Sequence, residues 1–411
     1  MIVSTPHTPS TDHGRPTTHW WQGGTFMLVA IGLLAFNLRP VAIEVGPVLP
    51  DLQRDLGLTG LTAGLLTSLP TICFGAFGAV AAGLAGRLGT HRTVTLALVA
   101  VLVGSVLRTQ TSNSWLFLAA STLALAGMAV GNVLIPSVVR QHFAGHIGLV
   151  TAVYSLSLSI GVTLASVVTV PVAQALGGWP PSFLVNASVV VLALLPWLVA
   201  LRHDRGHTTE NRPRAISLAR VARTRLGWMM AIFFGFQSAQ AYSVFGWLPS
   251  IYQDAGLSAE RAGLMLGIAT GLGIPLAFLW PAWMMRRPRP VGLLLVVTAA
   301  AWVGYTGLLV APGRWPWLWA AVIALGTSAF PMILAMFGMR ARTSEGTAAL
   351  SGFAQSVGYA IALAGPFLMG ALHEATGGWT WSIVLLLSMT VPMVVSGVVS
   401  ARAGWIEDEL H

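Results

Sequence analysis

Apolar runs of about 20 residues recur along the whole chain, separated by short polar or arginine-bearing segments, and each run predicts a membrane-crossing helix. Twelve spans follow: 25–48, 61–84, 93–110, 115–138, 148–174, 182–201, 227–250, 261–284, 291–311, 315–338, 347–372 and 380–401. Buried helices of soluble proteins are shorter and keep a polar face, which these runs lack. The pattern therefore predicts an all-α integral membrane protein. Its expected organisation is a six-helix bundle at 25–201 and a second at 227–402, joined by an Arg-rich cytoplasmic linker at 202–226. The polar segment 1–24 lacks a signal-peptide pattern and reads as a disordered cytoplasmic tail, and 403–411 reads as a second cytoplasmic tail.

The two halves repeat each other. Residues 49–65 read LPDLQRDLGLTGLTAGL and residues 248–264 read LPSIYQDAGLSAERAGL, with eight of seventeen positions identical at an offset of 199. The same offset carries Arg87 onto Arg286, and GNVLIP at 131–136 echoes GTSAFP at 326–331. Parallel duplication gives two pseudo-symmetric bundles about an axis along the membrane normal. In transporters that symmetry puts a substrate site near the midplane, between the bundles.

Composition narrows the function classes. The chain is 55% hydrophobic and 9% charged, whereas a soluble domain carries roughly a quarter charged residues. All 22 basic residues are arginines. With no lysine, a phosphate-binding loop of the Gly-x-x-x-x-Gly-Lys type cannot exist, so ATP is not the expected energy source. Cys73 is the only cysteine, and no Cys/His cluster has metal-ligand spacing, so neither a disulfide framework nor a metal or other cofactor is expected. Arg15, Arg87, Arg92, Arg140, seven arginines from Arg202 to Arg225, Arg286, Arg287, Arg289, Arg340, Arg342 and Arg402 fall on the side of the termini. Only Arg54, Arg108, Arg261 and Arg314 fall on the other side. The positive-inside rule then places both termini in the cytoplasm, with the protein in the cell's inner membrane. The net charge of +9 reflects these flanking arginines and not a nucleic-acid surface.

Against this background Arg39 and Glu44 stand out as charges inside the first span. A charge there costs about 2.5–3.5 kcal/mol or more, which marks it as functional. Guanidinium stays protonated when desolvated and offers a planar fork of donors suited to a carboxylate or other small anion. Pro40 has no N–H, which leaves the carbonyl near Phe36 without its helical donor. Glu44 is the one carboxylate within a span and the conventional candidate for carrying a proton. A static Arg39–Glu44 pair is the alternative, although five residues separate them by about 7.5 Å of rise and about 140° of turn.

The segment AGLAGRLGTHR at 82–92 resembles the signature loop of the major facilitator superfamily, with Gly86 where that motif carries Asp. Further matches are NLRP at 37–40, VGPVLP at 45–50, GNVLIP at 131–136, RART at 340–343, SGFAQSVGY at 351–359 and ATGGW at 375–379. Together they resemble the cyanate and 2-nitroimidazole porters of that superfamily. The resemblance implies that helices one, four, seven and ten line a central cavity. Asn37, Asn132, Gln237, Gln240 and Tyr242, with Gln355 and Tyr359 from the eleventh span, then join Arg39 as substrate-binding candidates. Interhelical packing is the competing role for the amides. It also implies that Arg87, Arg92, Arg140, Arg286 and Arg340 hold a cytoplasmic gate.

These observations lead to a secondary active transporter, a symporter or uniporter working by alternating access on a small polar, anionic solute. The expected partners are that solute, the lipid bilayer and protons, and the expected state is a monomer. A drug or nitroheterocycle exporter is the alternative, and a channel or nutrient sensor a more distant one. A membrane enzyme would need a nucleophile–base or metal constellation, and the spans supply none.

Overall fold

Proline and glycine decide where these apolar helices stop, and several spans are divided by them. The computed structural model describes residues 20–143, 145–201, 217–286 and 290–410. Residues 1–19 of the tail expected at 1–24, and 202–216 of the linker expected at 202–226, lie outside the described residues; α1 already begins at Trp20, inside the expected tail.

The first span comprises α1 (Trp20–Leu38), α2 (Pro40–Ile43), a 3-10 turn (Gly46–Val48) and α3 (Leu49–Leu56). The N-terminal bundle continues with α4 (Gly60–Leu88), α5 (Thr90–Arg108), α6 (Ser114–His142), α7 (Ile147–Leu176) and α8 (Trp179–Ala200). A short α9 (Leu218–Val221) leads into α10 (Arg225–Asp254), the seventh span. The eighth span is α11 (Ala259–Gly271) and α12 (Gly273–Met285), and the ninth is α13 (Val291–Val310). The tenth divides into α14 (Pro316–Gly326) and α15 (Phe330–Met339), the eleventh into α16 (Ser344–Ala362) and α17 (Ala364–Thr376). The last is α18 (Thr380–Arg402).

Eleven segments among the described residues are long and apolar enough to cross a membrane. Helix α10 has the length, at 30 residues, but Gln237, Ser238, Gln240, Tyr242 and Ser243 lower its hydropathy.

The sequence repeat has a physical basis. Gly57 (φ 63°) and Gly256 (φ 93°) occupy equivalent left-handed turns, where a side chain would be strained. Two residues later, Thr59 and Ser258 cap the next helix, accepting the N–H groups of Thr62 at 3.2 Å and Arg261 at 3.3 Å. A second element of the repeat emerges only in three dimensions. The Trp179 indole donates to Asp55 at 3.1 Å, and its counterpart Trp379 donates to Asp254 at 2.7 Å. In each half this bond ties the turn after the first helix to the start of the sixth.

At this end the bundles touch backbone to backbone. A Cβ on Gly64 of α4 would lie 2.8 Å from the Phe367 carbonyl of α17, and one on Gly263 of α11 would lie 2.9 Å from the Ser166 carbonyl of α7. Small residues allow such approach in membranes, where packing and not hydrophobicity drives helix association. Glu374 of α17 also crosses, accepting the Leu61 N–H at 2.9 Å in the first turn of α4. A carboxylate there satisfies an orphan donor and faces the positive end of the helix dipole. At the opposite end, Cβ atoms on Gly83 and Gly338 would meet nothing within 4 Å. Arg87, Arg140 and Arg286 are exposed there. The bundles are therefore packed together at the Glu374 end, and Gly83 and Gly338 face open space at the end of the chain termini.

Glu374→Ala should loosen the closed end. Loss of a helix cap costs about 1 kcal/mol, which corresponds to about a fivefold shift between closed and open populations. Thr67 is buried against Gly246 at this interface. In a Cys73→Ala background, maleimide labelling of Thr67→Cys should rise severalfold when Glu374→Ala is added. An unchanged rate would remove Glu374 from the closure.

Candidate substrate site at the break in the first helix

Arg39 sits where α1 ends and α2 begins, and Pro40 causes the break. Lacking an N–H, Pro40 cannot bond the Phe36 carbonyl, which instead packs against Gly161 of α7. That carbonyl is covered and does not open into the cleft. The Arg39 carbonyl accepts the Ala42 and Ile43 N–H groups at 3.0 and 3.2 Å, which holds the short α2 in place. Its side chain reaches the other bundle, with the guanidinium carbon 5.9 Å from the Phe330 ring centroid. Among the described residues this guanidinium makes no hydrogen bond and no ion pair, and its buried Nε has no partner.

The tenth span answers with a break of its own. Pro331 cannot bond the Thr327 carbonyl, and Gln237 of α10 fills the vacancy, donating at 3.3 Å. Ser328 accepts the Trp280 indole at 2.6 Å. These bonds fix the turn from which Phe330 projects. A wall of rings continues from it: Phe234 is 5.9 Å from Phe330, Tyr359 is 5.0 Å from Phe234, and Phe74 stacks on Tyr359 at 5.0 Å. Phe74 belongs to α4, so the wall crosses from one bundle to the other. Tyr242 and Tyr359 are within electrostatic reach of Arg39, and neither hydroxyl makes a hydrogen bond among the described residues.

Glu44 has a different partner from the one its spacing suggests. Its carboxylate forms an ion pair with Arg108, sealed inside the N-terminal bundle, and accepts the amide of half-buried Asn186. Arg108 is 0% exposed, so the loop position expected for it is wrong. Its guanidinium also donates to the Val41 carbonyl at 3.2 Å and lies 4.3 Å from the Phe183 ring centroid. Burial of this kind demands a partner of opposite charge, and the network supplies it. The Arg39–Glu44 pair does not form.

The other candidates divide by environment. Gly131 packs on Leu38, and the adjacent Asn132 is half-buried with no hydrogen bond among the described residues. Asn37 turns back onto its own helix, donating to the Leu33 carbonyl at 2.8 Å. Gln240 points into the C-terminal bundle, toward the Phe236 carbonyl and the Met393 sulfur, both at 3.3 Å. Gln355 donates to Ser351 at 2.7 Å. Of the gate arginines, Arg92 joins Arg87, Arg140 and Arg286 in being exposed. Arg340 is buried, with its guanidinium on the Ser400 and Ala401 carbonyls that end α18. It anchors the C-terminal bundle to itself.

The last residues form an ordered clasp rather than a free tail. Glu407 accepts the N–H groups of Arg342 and Thr343, each at 3.0 Å, and the Thr343 hydroxyl at 2.8 Å. Burial alone would raise its pKa, but these donors together hold the carboxyl below its ordinary value.

Sequence reasoning missed Phe330, Phe234 and Phe74, because an aromatic in an apolar span carries no distinguishing mark. It also missed Arg108 and Asn186. The signal there was Glu44 itself, since a carboxylate in a span calls for a cation at the same depth.

Two helical bundles in pseudo-symmetry, packed together at one end, define a polytopic membrane protein built by duplication. Residues 25–362 match the Major Facilitator Superfamily, and the chain belongs to that family. It is 33% identical over 398 residues to an uncharacterized transporter, YycB, of Bacillus subtilis, covering 96% of each chain. Identity is 32% over 377 residues to the 2-nitroimidazole transporter of Escherichia coli, covering 92% of this chain and 95% of that one. It is 29% over 356 residues to the cyanate transport protein CynX of the same organism, covering 86% and 91%. The crystal structure of the nucleoside transporter NupG matches with a TM-score of 0.73 at 12% identity. That match covers 92% of this chain and 99% of the other, and shows the shared fold. The protein is a transporter and not an enzyme.

Proposed function

We propose that this transporter carries a small organic or inorganic anion, gripped by Arg39, across the bacterial inner membrane by alternating access. The observation that carries the reading is the unpaired guanidinium at the helix break, facing the opposite bundle. Glu44 and Arg108 neutralise each other, which leaves Arg39 as the uncompensated charge of the cleft. An anion entering there supplies the missing partner, with Tyr242, Tyr359 and Asn132 as further donors. With the arginine-rich ends in the cytoplasm, the end where the bundles pack together is the outer one.

Importing a monoanion against an inside-negative potential costs about 2.3 kcal/mol per 100 mV. Co-transport of one proton removes that cost, so symport accompanies the anionic reading. Glu44 serves in it as an anchor of the first helix; its pairing with Arg108 argues against a proton-carrier role. The relatives named for cyanate and 2-nitroimidazole transport agree with a small polar solute. A drug-exporter reading is not favoured, because a fixed arginine suits one anion better than many apolar drugs.

The test is uptake of radiolabelled formate, cyanate and benzoate into proteoliposomes, with and without an imposed inward proton gradient. Saturable uptake of at least one anion, raised above equilibrium by the gradient, is the expected outcome. Uptake that only equilibrates would leave a uniporter, and no carrier-dependent uptake of any anion would remove the anionic reading.

A further inference from the structure

Arg39 has aromatic neighbours, Phe330 beside its guanidinium and Tyr242 and Tyr359 within electrostatic reach. Among the described residues, its guanidinium, the two tyrosine hydroxyls and the Asn132 amide make no hydrogen bond. A polyhydroxylated solute would leave several of its own hydroxyls unsatisfied against the ring wall, at a cost comparable to a lost hydrogen bond for each. A second negative charge gains nothing from Arg108, which is already paired with Glu44. The solute's remaining surface therefore matches rings and not hydroxyls.

The wall itself is preorganised. Phe234 is 0% exposed and holds Phe330 on one side and Tyr359 on the other. Phe330 alone of the four rings is only half-buried, and the turn behind it is pinned by Gln237 and Trp280. The guanidinium lies over its ring, 5.9 Å from the centroid, so a solute held by that guanidinium comes up against the same ring. Planar bidentate pairing on Arg39 fixes the plane of a carboxylate. A conjugated ring continues that plane onto the aromatic wall, whereas a puckered ring cannot lie flat.

We infer that the site selects a flat aromatic monocarboxylate, with its carboxylate on Arg39 and its ring against Phe330. The inference rests on the anion reading and adds Phe330 as the residue that determines the shape of the solute.

The experiment is thermal stabilisation of the purified full-length protein by benzoate, cyclohexanecarboxylate, formate and benzamide, for wild type and Phe330→Leu. In wild type, benzoate should bind about tenfold more tightly than cyclohexanecarboxylate, the gain expected of one aromatic contact. Benzamide, flat but uncharged, should have no effect. Phe330→Leu should erase the difference between benzoate and cyclohexanecarboxylate. Equal wild-type affinities for those two acids would overturn the flat-ring inference and leave the anion reading standing. Benzamide binding as tightly as benzoate, or no stabilisation by any carboxylate, would overturn both.

Discussion

Glu44→Gln and Arg108→Leu should each destabilise the protein by about 3–5 kcal/mol, the usual result of leaving one buried charge without its partner. The pair is sealed, with Arg108 and Glu44 both 0% exposed, so water cannot replace the missing partner. The double variant Glu44→Leu/Arg108→Met should recover most of the loss, because apolar residues of similar volume often replace a buried pair at no net cost. Thermal unfolding in detergent measures both effects. A cycle closed with the single variants Glu44→Leu and Arg108→Met should show strong coupling; simple additivity of the two losses would mean that the two side chains act independently. The damage would be local to the first helix. Arg108 donates to Val41 within α2, and Glu44 follows directly after α2, so this network holds the segment next to Arg39.

Arg39→Ala should behave in the opposite way, folding as well as wild type and losing the ligand. Nothing in the described structure compensates Arg39, so its removal strands no buried partner. Truncating one side of a desolvated, hydrogen-bonded charge pair costs about 2–5 kcal/mol of affinity, or about 30-fold and more in Kd. Arg39→Lys should fail nearly as badly, because an ammonium keeps the charge but not the two parallel donors. Ligand-induced thermal stabilisation separates the cases. A lysine variant with full affinity would show that charge alone is read, and a folded alanine variant with full affinity would take Arg39 out of the site.

Hydropathy and the internal repeat carried most of the architecture, because lipid forces every backbone group to be satisfied within a helix. Helix α10 was legible as an apolar run at 227–250, although its glutamines and serines weaken the signal. The left-handed glycines at 57 and 256 and the caps after them were legible as repeated letters; the Asp55–Trp179 and Asp254–Trp379 bonds were not, being over 120 residues apart in the chain. Arg39 was visible because a charge in a span is rare. Its surroundings were hidden for the converse reason: Phe330 and Phe234 look like any lipid-facing phenylalanine until the breaks at Pro40 and Pro331 bring two bundles together. Arg108 was misplaced because charge near a span's end reads as a loop marker, and only packing shows which way it turns. Gln240 and Arg340 likewise find hydrogen-bond partners within their own bundle, which spacing along the chain does not show.

The most direct measurement is counterflow: proteoliposomes preloaded with unlabelled benzoate, given trace labelled benzoate outside, with wild type and Arg39→Ala side by side. The account predicts a transient accumulation of label above equilibrium in wild type and none in Arg39→Ala, with both proteins folded and reconstituted equally. Equal overshoot in the two would contradict Arg39 as the grip on the solute, and label that merely equilibrates in wild type would contradict a carrier for this anion.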